Sequence, residues 1–444
     1  MEKFVITGKT PLHGSTQVSG AKNVALKAIV AACLTDEEVV IRNIPLISDL
    51  YVMAEIVEEL GGQAVIEGHT ITIRVQKFAS TTISLDRAAH IRTSVMFLAP
   101  LLAREGKAII PNPGGCRIGA RPIDRTIDGL TKMGVDIRYE SSDGYFYAKV
   151  ISKEKLSGVE YTFEKNTHTG TETLMLAAVL ATGKTVLQNT AQEPEIDELI
   201  ALLTKMGAKI KRTKDRTIEI DGVARLHGAD FEIGPDRNEI VTLAIAAVLT
   251  KGDILVENAH KADLHSFLAV FEKAGGGYET KDTGIRFFYK SPIQSVDATT
   301  APAPGFMTDW QGPWVILMTQ AQGVAVVHET VYENRFGYVY NLKKMGALIQ
   351  LFNPEIVNPE TFYNFNSEDD QDYFHAAKIT GPVNLHNAVV EISDLRAGAT
   401  LVLAALAAQG TSTIYGLEHL DRGYENFEER LSQLGAQIQR IKED

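Results

Sequence analysis

Apolar positions along this chain keep two rhythms in turn. Stretches spaced as one face of a helix end at a glycine, and an alternating, strand-like run follows nearly every one. The glycine phrase returns six times: Leu60-Gly61-Gly62, Met133-Gly134-Val135, Met206-Gly207-Ala208, Ala274-Gly275-Gly276, Met345-Gly346-Ala347 and Leu434-Gly435-Ala436. A β-rich phrase keeps step with it, at Val39-Val40-Ile41, Ala108-Ile109-Ile110, Thr185-Val186-Leu187, Ile254-Leu255-Val256, Ala325-Val326-Val327 and Ser412-Thr413-Ile414. The spacing of roughly 70 residues exceeds the roughly 20–50 of a solenoid repeat. Each repeat therefore predicts a small α/β module, and functional residues are expected at equivalent loops of different modules. Glycine just past the last apolar turn is the expected helix stop, because it enters the left-handed conformation without a side-chain clash.

Segment 197–206 shows the helical rhythm, with Leu199, Leu202, Leu203 and Met206 on one face. Segment 209–220 shows the strand rhythm, alternating through Ile218 and Ile220 around a turn at Asp215. Four other predicted helices, 23–34, 173–181, 239–249 and 394–408, are apolar on most sides, the pattern of a buried helix. That pattern permits helices within and sheets outside. A boundary is expected near Gly234-Pro235, after the third copy, and the first strand, with Phe4 and Ile6, is expected to complete the second half. The step from Met345 to Leu434 is about 20 residues longer than the others, and the excess holds Pro354, Pro359, Tyr363 and an acidic run at 368–372. It reads as a surface insertion.

Length suggests two domains of about three modules each. A hydrophobic content of 45% suits ordinary buried cores, and a net charge of −12 argues against a general polyanion or nucleic-acid binder. Local cations gain meaning against that background. The apolar runs are too short to span a bilayer, and the N-terminus lacks a signal-peptide pattern. Two cysteines, Cys33 and Cys116, make no disulfide framework. The expectation is a reducing, cytoplasmic enzyme with no membrane partner.

The strongest candidate loop is 113–124, Pro-Gly-Gly-Cys-Arg-Ile-Gly-Ala-Arg-Pro-Ile-Asp. Its glycines let the backbone bend around a ligand, and Pro122 suits the first turn of a helix with Ile123, Ile127 and Leu130 inward. Cys116, between Arg117 and Arg121, is placed to favour thiolate, whereas Cys33 reads as a small buried hydrophobe. Three further predicted helix starts carry a cation: Lys22, beside Asn23; Arg396, after Asp394; and Arg422, at the opening of the last helix. Free N–H groups and the positive dipole end make such places anion sites. Asp309 reads equally well as a helix cap or a base. Arg335 follows the fifth strand phrase as Cys116 follows the second. No His/Cys cluster has zinc spacing, and no Gly-x-Gly-x-x-Gly or Walker loop is present.

Several motifs carry a resemblance: Ser19-Gly20-Ala21-Lys22-Asn23, Arg92-Thr93-Ser94, the 114–124 loop, Glu193-Pro194-Glu195-Ile196, Pro235-Asp236-Arg237, Thr308-Asp309, Glu333-Asn334-Arg335-Phe336, Ser393-Asp394-Leu395-Arg396-Ala397 and Asp421-Arg422-Gly423-Tyr424-Glu425. In these the chain resembles the UDP-N-acetylglucosamine 1-carboxyvinyltransferases, enolpyruvyl transferases that begin peptidoglycan synthesis. The resemblance implies a two-domain inside-out α/β barrel of six repeated units, three per domain, with helices inside and sheets outside. The first domain would be 22–233, the second 1–21 with 234–444, and the site would lie in the cleft between them, closing over substrate. The implied reaction moves the enolpyruvyl group of phosphoenolpyruvate to the 3-hydroxyl of UDP-N-acetylglucosamine and releases phosphate, without a cofactor.

By motif, Lys22, Arg121 and Arg422 would hold the donor phosphate, with Arg335 and Arg396 close by. Cys116 would be a general acid or form a transient adduct. Asp309 would take or orient the hydroxyl proton, and Asp394 would be a second acidic group near the reacting carbon. Asn23, Arg92, Asp124 and Arg237 would seat the nucleotide sugar or shape the cleft. Departures from the family pattern fall at 167–171, at Arg125-Thr126, at 307–314 and at the insertion around 354–375. They gather on the acceptor side, which leaves open a different UDP-sugar or a non-catalytic, nucleotide-sugar-binding role.

Overall fold

The structure, a computed structural model, describes residues 2–114, 123–151, 155–366 and 373–443. These fall into two compact units, one made from the described residues of 20–114 and 123–234, the other from those of 2–19 and 235–443.

Six small sheets form among the described residues, and five repeat one pattern: an edge strand runs parallel to a second strand, which pairs antiparallel with a third, itself antiparallel to a fourth. In one, Glu160–Thr162 pairs parallel with Lys184–Gln188, which pairs antiparallel with Thr217–Asp221 and, beyond it, Lys209–Lys214. The sixth keeps the three antiparallel strands Lys107–Pro111, Tyr145–Val150 and Val135–Glu140, and its parallel neighbour shrinks to a bridge from Thr82 to Ile109. Alternation explains the one-sided cover: Thr185 and Leu187 are buried while Lys184 is exposed, as in a sheet with one face in water. The N-terminal strand Glu2–Thr7 pairs with both Thr411–Tyr415 and Gln437–Lys442, so the expected completion of the second half by the first strand is seen.

All six repeat glycines, Gly61, Gly134, Gly207, Gly275, Gly346 and Gly435, have φ between 90° and 98°. A side chain resists that backbone, which is why the phrase recurs. Each amphipathic helix stops there, as Pro194–Lys205 does with Leu199, Leu202 and Leu203 buried.

The second unit has three helices buried on almost every side, Arg237–Leu249, Gln311–Met318 and Leu395–Ala407, which pack on one another. Small residues allow the close approach: a Cβ on Gly312 would lie 2.3 Å from Thr400 Oγ1. The first unit packs Leu98–Glu105 against His168–Ala178 and buries Lys22–Ala32 at every position but Asn23. Described residues contain no helix long and apolar enough to cross a membrane.

Three expectations need correction. The helix expected at 173–181 starts at His168, because Thr167 caps the Gly170 N–H (3.1 Å) and Thr171 and Thr173 bond back to the carbonyls of Thr167 and Thr169. Arg422 does not open the last helix. It follows the one-turn helix Leu417–Leu420, and the last helix is Phe427–Gln433, after Asn426 at φ 43°. The insertion is not merely superficial: Tyr363 and Phe365 are buried. Its acidic run lies outside the described residues.

Replacing Gly312 by alanine forces Thr400 aside and is expected to lower stability by about 1–3 kcal/mol. A urea midpoint equal to that of the unmodified protein would refute the close helix contact.

Candidate active site

Two buried guanidinium groups meet one carboxylate in the second unit. Arg396 is the second residue of Leu395–Ala407, and its Nε donates to Asp309 Oδ1 at 2.8 Å. Asp309 sits in the short 3₁₀ turn Thr308–Trp310, ahead of Gln311–Met318. It caps nothing; Met307 holds the cap position without a side-chain bond. Arg335 comes in from the loop after the strand Gly323–His328. Its Nη2 lies 3.7 Å from the same Asp309 oxygen, and its Nη1 lies 3.9 Å from Asp394 Oδ1. Asp394 is the N-cap of the Arg396 helix, accepting the N–H groups of Arg396 and Ala397 at 3.0 and 3.1 Å. That capping duty fixes its carboxylate.

Further bonds tie the cluster down. Arg335 donates from Nε to Thr308 Oγ1 (3.1 Å) and from Nη2 to the Thr308 carbonyl (3.2 Å). The Thr308 hydroxyl donates to buried Glu329 (2.9 Å), whose other oxygen accepts the Val331 and Tyr332 N–H groups. Arg396 Nη1 donates to the Tyr424 hydroxyl at 3.2 Å, itself 2.8 Å from Thr242 Oγ1. Arg237 lies over the Trp310 ring, 5.6 Å from its centre, and near Met307 sulfur.

Burial pushes the Asp309 carboxyl up, but Arg396, Arg335 and Arg237 outweigh it and hold it well below the usual carboxylate range. Burial lowers Arg335 and Arg396 in turn; Asp309 and Asp394 more than offset this for Arg335, and Tyr424 and Asp309 do so for Arg396. Glu329 is raised by burial, partly opposed by Arg335. The result is fixed positive charge around one ionised carboxylate, suited to an anionic substrate.

In the first unit, Lys22 begins the helix Lys22–Ala32 and its Nζ lies 2.7 Å from Asp49 Oδ2, both buried. Deeper along the same helix, Lys27 lies 3.5 Å from Glu172, which also lies 3.1 Å from His168 Nε2. Burial lowers His168, and Glu172 more than offsets it, leaving its affinity for a proton raised.

The structure thus brings together Asp309, Arg335, Arg396, Asp394 and Arg237 within the second unit. Arg422 lies two residues before Tyr424, between two short helices. Lys22 and Asn23 share a helix start in the first unit. Arg92 opens the 3₁₀ helix Arg92–Phe97, and Asp124 is exposed at the start of Asp124–Lys132. Cys116 and Arg121 lie outside the described residues. Cys33 is buried, its thiol pushed up to about 12 by that burial. Sequence reasoning missed Asp49, Glu329 and Tyr424 as partners of the cations. Tyr424 stood inside a quoted motif, while Asp49 looks like any first-turn acid of an amphipathic helix.

Comparison with known proteins places the chain. The profile of the family described as EPSP synthase (3-phosphoshikimate 1-carboxyvinyltransferase) matches residues 6–431. A UDP-N-acetylglucosamine 1-carboxyvinyltransferase of Koribacter versatilis is 41% identical over 447 residues, covering 100% of this chain and 97% of that one. One of Desulfatibacillum aliphaticivorans is 41% identical, with 100% of both chains covered. The enolpyruvyl transferase NikO from Streptomyces tendae has a TM-score of 0.85 at 24% identity, covering 100% of this chain and 99% of that one. EPSP synthase from Acinetobacter baumannii scores 0.73 at 17%, with both chains covered in full. These two speak to the fold: a two-domain α/β enolpyruvyl transferase architecture. The chain belongs to the EPSP synthase family of enolpyruvyl transferases and, within it, to the UDP-N-acetylglucosamine 1-carboxyvinyltransferases.

Because Asp309 titrates lower folded than unfolded, its pairing stabilises the protein fully above the unfolded value, near 3.9, and that stability is lost as pH falls through the lower folded value. Asp309→Asn is expected to cost about 1–3 kcal/mol at pH 7, from buried cations left without their charge partner. The difference from the unmodified protein should be constant above about pH 5 and shrink below about pH 4. Urea unfolding at several pH values checks this; a difference that grows on acidification would overturn the pairing.

Proposed function

We propose that the chain transfers the enolpyruvyl group of phosphoenolpyruvate to the 3-hydroxyl of UDP-N-acetylglucosamine, releasing phosphate without a cofactor. The reading places it at the start of peptidoglycan precursor synthesis, in the cytoplasm. The observation that carries it is the ionised Asp309 held between Arg396 and Arg335, in a chain 41% identical along its whole length to proteins of that name. The finer architecture belongs to the same proposal: three modules per domain, with helices inside and sheets outside, supported by the six sheets and by helices buried on nearly every side.

Phosphoenolpyruvate carries a carboxylate and a phosphate, and fixed cations bind both and stabilise charge that develops in the transition state. Arg335 and Arg396 supply them from the second unit, with Arg422; Lys22 and Arg121 are their proposed counterparts on the phosphate. The hydroxyl oxygen bonds to the donor's central carbon while the terminal methylene takes a proton and becomes methyl. Loss of a methyl proton then expels phosphate and restores the double bond. Cys116 is the proposed proton donor, or the group that forms a transient adduct, and Asp309 orients the acceptor hydroxyl. A carboxylate so strongly paired is a poor base, so its first duty is to hold that hydroxyl. Taking the proton requires Arg396 to shift toward the donor. Asn23, Arg92, Asp124 and Arg237 are assigned to the nucleotide sugar.

A phosphate-release assay should show turnover only when phosphoenolpyruvate and UDP-N-acetylglucosamine are both present. Release with a different UDP-sugar alone would move the acceptor; tight nucleotide-sugar binding without release would leave a non-catalytic role.

Cys116→Ala should lower turnover by about 10²–10⁴-fold, the scale of a lost general acid, with an unchanged melting temperature. A small epoxide-bearing phosphonate should inactivate the unmodified protein. Unchanged kinetics, or no adduct at Cys116 by mass spectrometry, would remove the thiol from the mechanism.

A further inference from the structure

The described residues between the strands Leu348–Phe352 and Ala376–Gly381, 353–366 and 373–375, are built into the second unit rather than laid upon it. Asn353 pinches their base, accepting the His375 N–H at 2.8 Å and donating to the Tyr373 carbonyl at 3.0 Å. Inside the segment, the one-turn helix Pro359–Phe362 delivers Tyr363 into a buried aromatic nest. Its ring stacks on Phe365 (4.6 Å between centres) and lies 5.2 Å from His375. Its hydroxyl is 3.2 Å from His328 Nε2, and Phe362 stacks on that imidazole with 5.2 Å between ring centres. Burial, with His375 adding to it, holds His328 down at about 4, so the ring is neutral in this contact at ordinary pH.

The nest sits where the strand Gly323–His328 runs out into the loop that carries Arg335. Two backbone bonds fasten the insertion to the first residues of that loop: Glu329 N–H donates to the His375 carbonyl (2.7 Å) and Asn364 N–H donates to the Thr330 carbonyl (2.8 Å). Thr330 is held from the opposite side by Thr300, through its N–H at 2.8 Å and its hydroxyl at 2.5 Å. Glu329, so fixed, accepts the Thr308 hydroxyl, and Thr308 in turn receives Arg335. A short, unbroken run of bonds therefore leads from the insertion to the guanidinium beside Asp309.

We propose that residues 353–366 and 373–375 position Arg335 for the anionic donor, with Tyr363 as their anchor. This rests on the functional reading above, in which Arg335 meets phosphoenolpyruvate. Tyr363 touches no reacting atom; it is a positioning residue, acting through Glu329, Thr330 and Thr308. A small misplacement of a charged clamp costs far more in binding and rate than the lost contact itself. The effect falls on the donor because the loop it braces ends at Arg335.

Steady-state kinetics on the full chain test the proposal, varying each substrate while the other saturates. Tyr363→Ala is expected to raise the donor KM by about tenfold, the scale of one weakened charged contact, and to leave the acceptor KM unchanged. Tyr363→Phe keeps the ring in its nest and should recover most of the loss. Asn353→Ala opens the base of the insertion from an outer position, so it reports even if Tyr363→Ala folds poorly, and it should move the donor KM in the same direction. In an Arg335→Lys background, Tyr363→Ala should add little, since both act on one contact. An unchanged donor KM in both alanine variants, equal shifts for both substrates, or full additivity with Arg335→Lys would each overturn the positioning role while the active unmodified enzyme upholds the functional reading. An unmodified chain that neither turns over nor binds phosphoenolpyruvate by calorimetry would sink that reading and this inference with it.

Discussion

Arg335 and Arg396 are buried, and a buried guanidinium is tolerable only with a charged partner and satisfied hydrogen bonds. Asp309 supplies the charge to both, at 3.7 and 2.8 Å, and Thr308, Tyr424 and Asp394 share the remaining contacts. Every element around this group is arranged to keep it: the Arg396 helix is capped by Asp394, the 3₁₀ turn lifts Asp309 to it, and the close contact at Gly312 and Thr400 keeps the two helices at working distance. Lys22 with Asp49 repeats the solution in the other unit. In each unit, buried cations are held against internal carboxylates.

Such a site suits a repeated fold. Each module places a helix start or a post-strand loop in an equivalent position, and the chain varies the residue it puts there. Lys22, Arg237 and Arg396 all stand in the first turn of a buried helix. Asp236 and Asp394 cap two of those helices in the same way, each accepting two N–H groups. The repeat thus provides similar helix ends, and the chain places a cation in the first turn of each of these three.

Much of this was legible beforehand. The glycine phrase located all six helix stops because only one backbone conformation there lets the chain turn, and it disfavours side chains. Helices apolar all round were readable as buried ones. Boundaries were read less well where side chains satisfy the backbone locally. The Thr-rich turn at 167–173 bonds to its own carbonyls and starts its helix early, and the turn through Asn426 delays the last one. The insertion looked superficial because its prolines and acids dominate the pattern, while the burial of Tyr363 depends on His375 at the insertion's far end and on His328, 35 positions earlier in the chain.

The chain by itself determined the helix stops at its repeated glycines, and its motifs named the cations and the acid, because these depend on local backbone preference and residue chemistry. Only the tertiary structure decided which charges neutralise one another. It set Asp309 beside Arg396 and Arg335, gave Asp394 to a helix cap, and paired Lys22 with Asp49. The ion pairs among these join residues 26 to 87 positions apart, a separation over which sequence pattern carries no distance and folding alone brings opposite charges within reach.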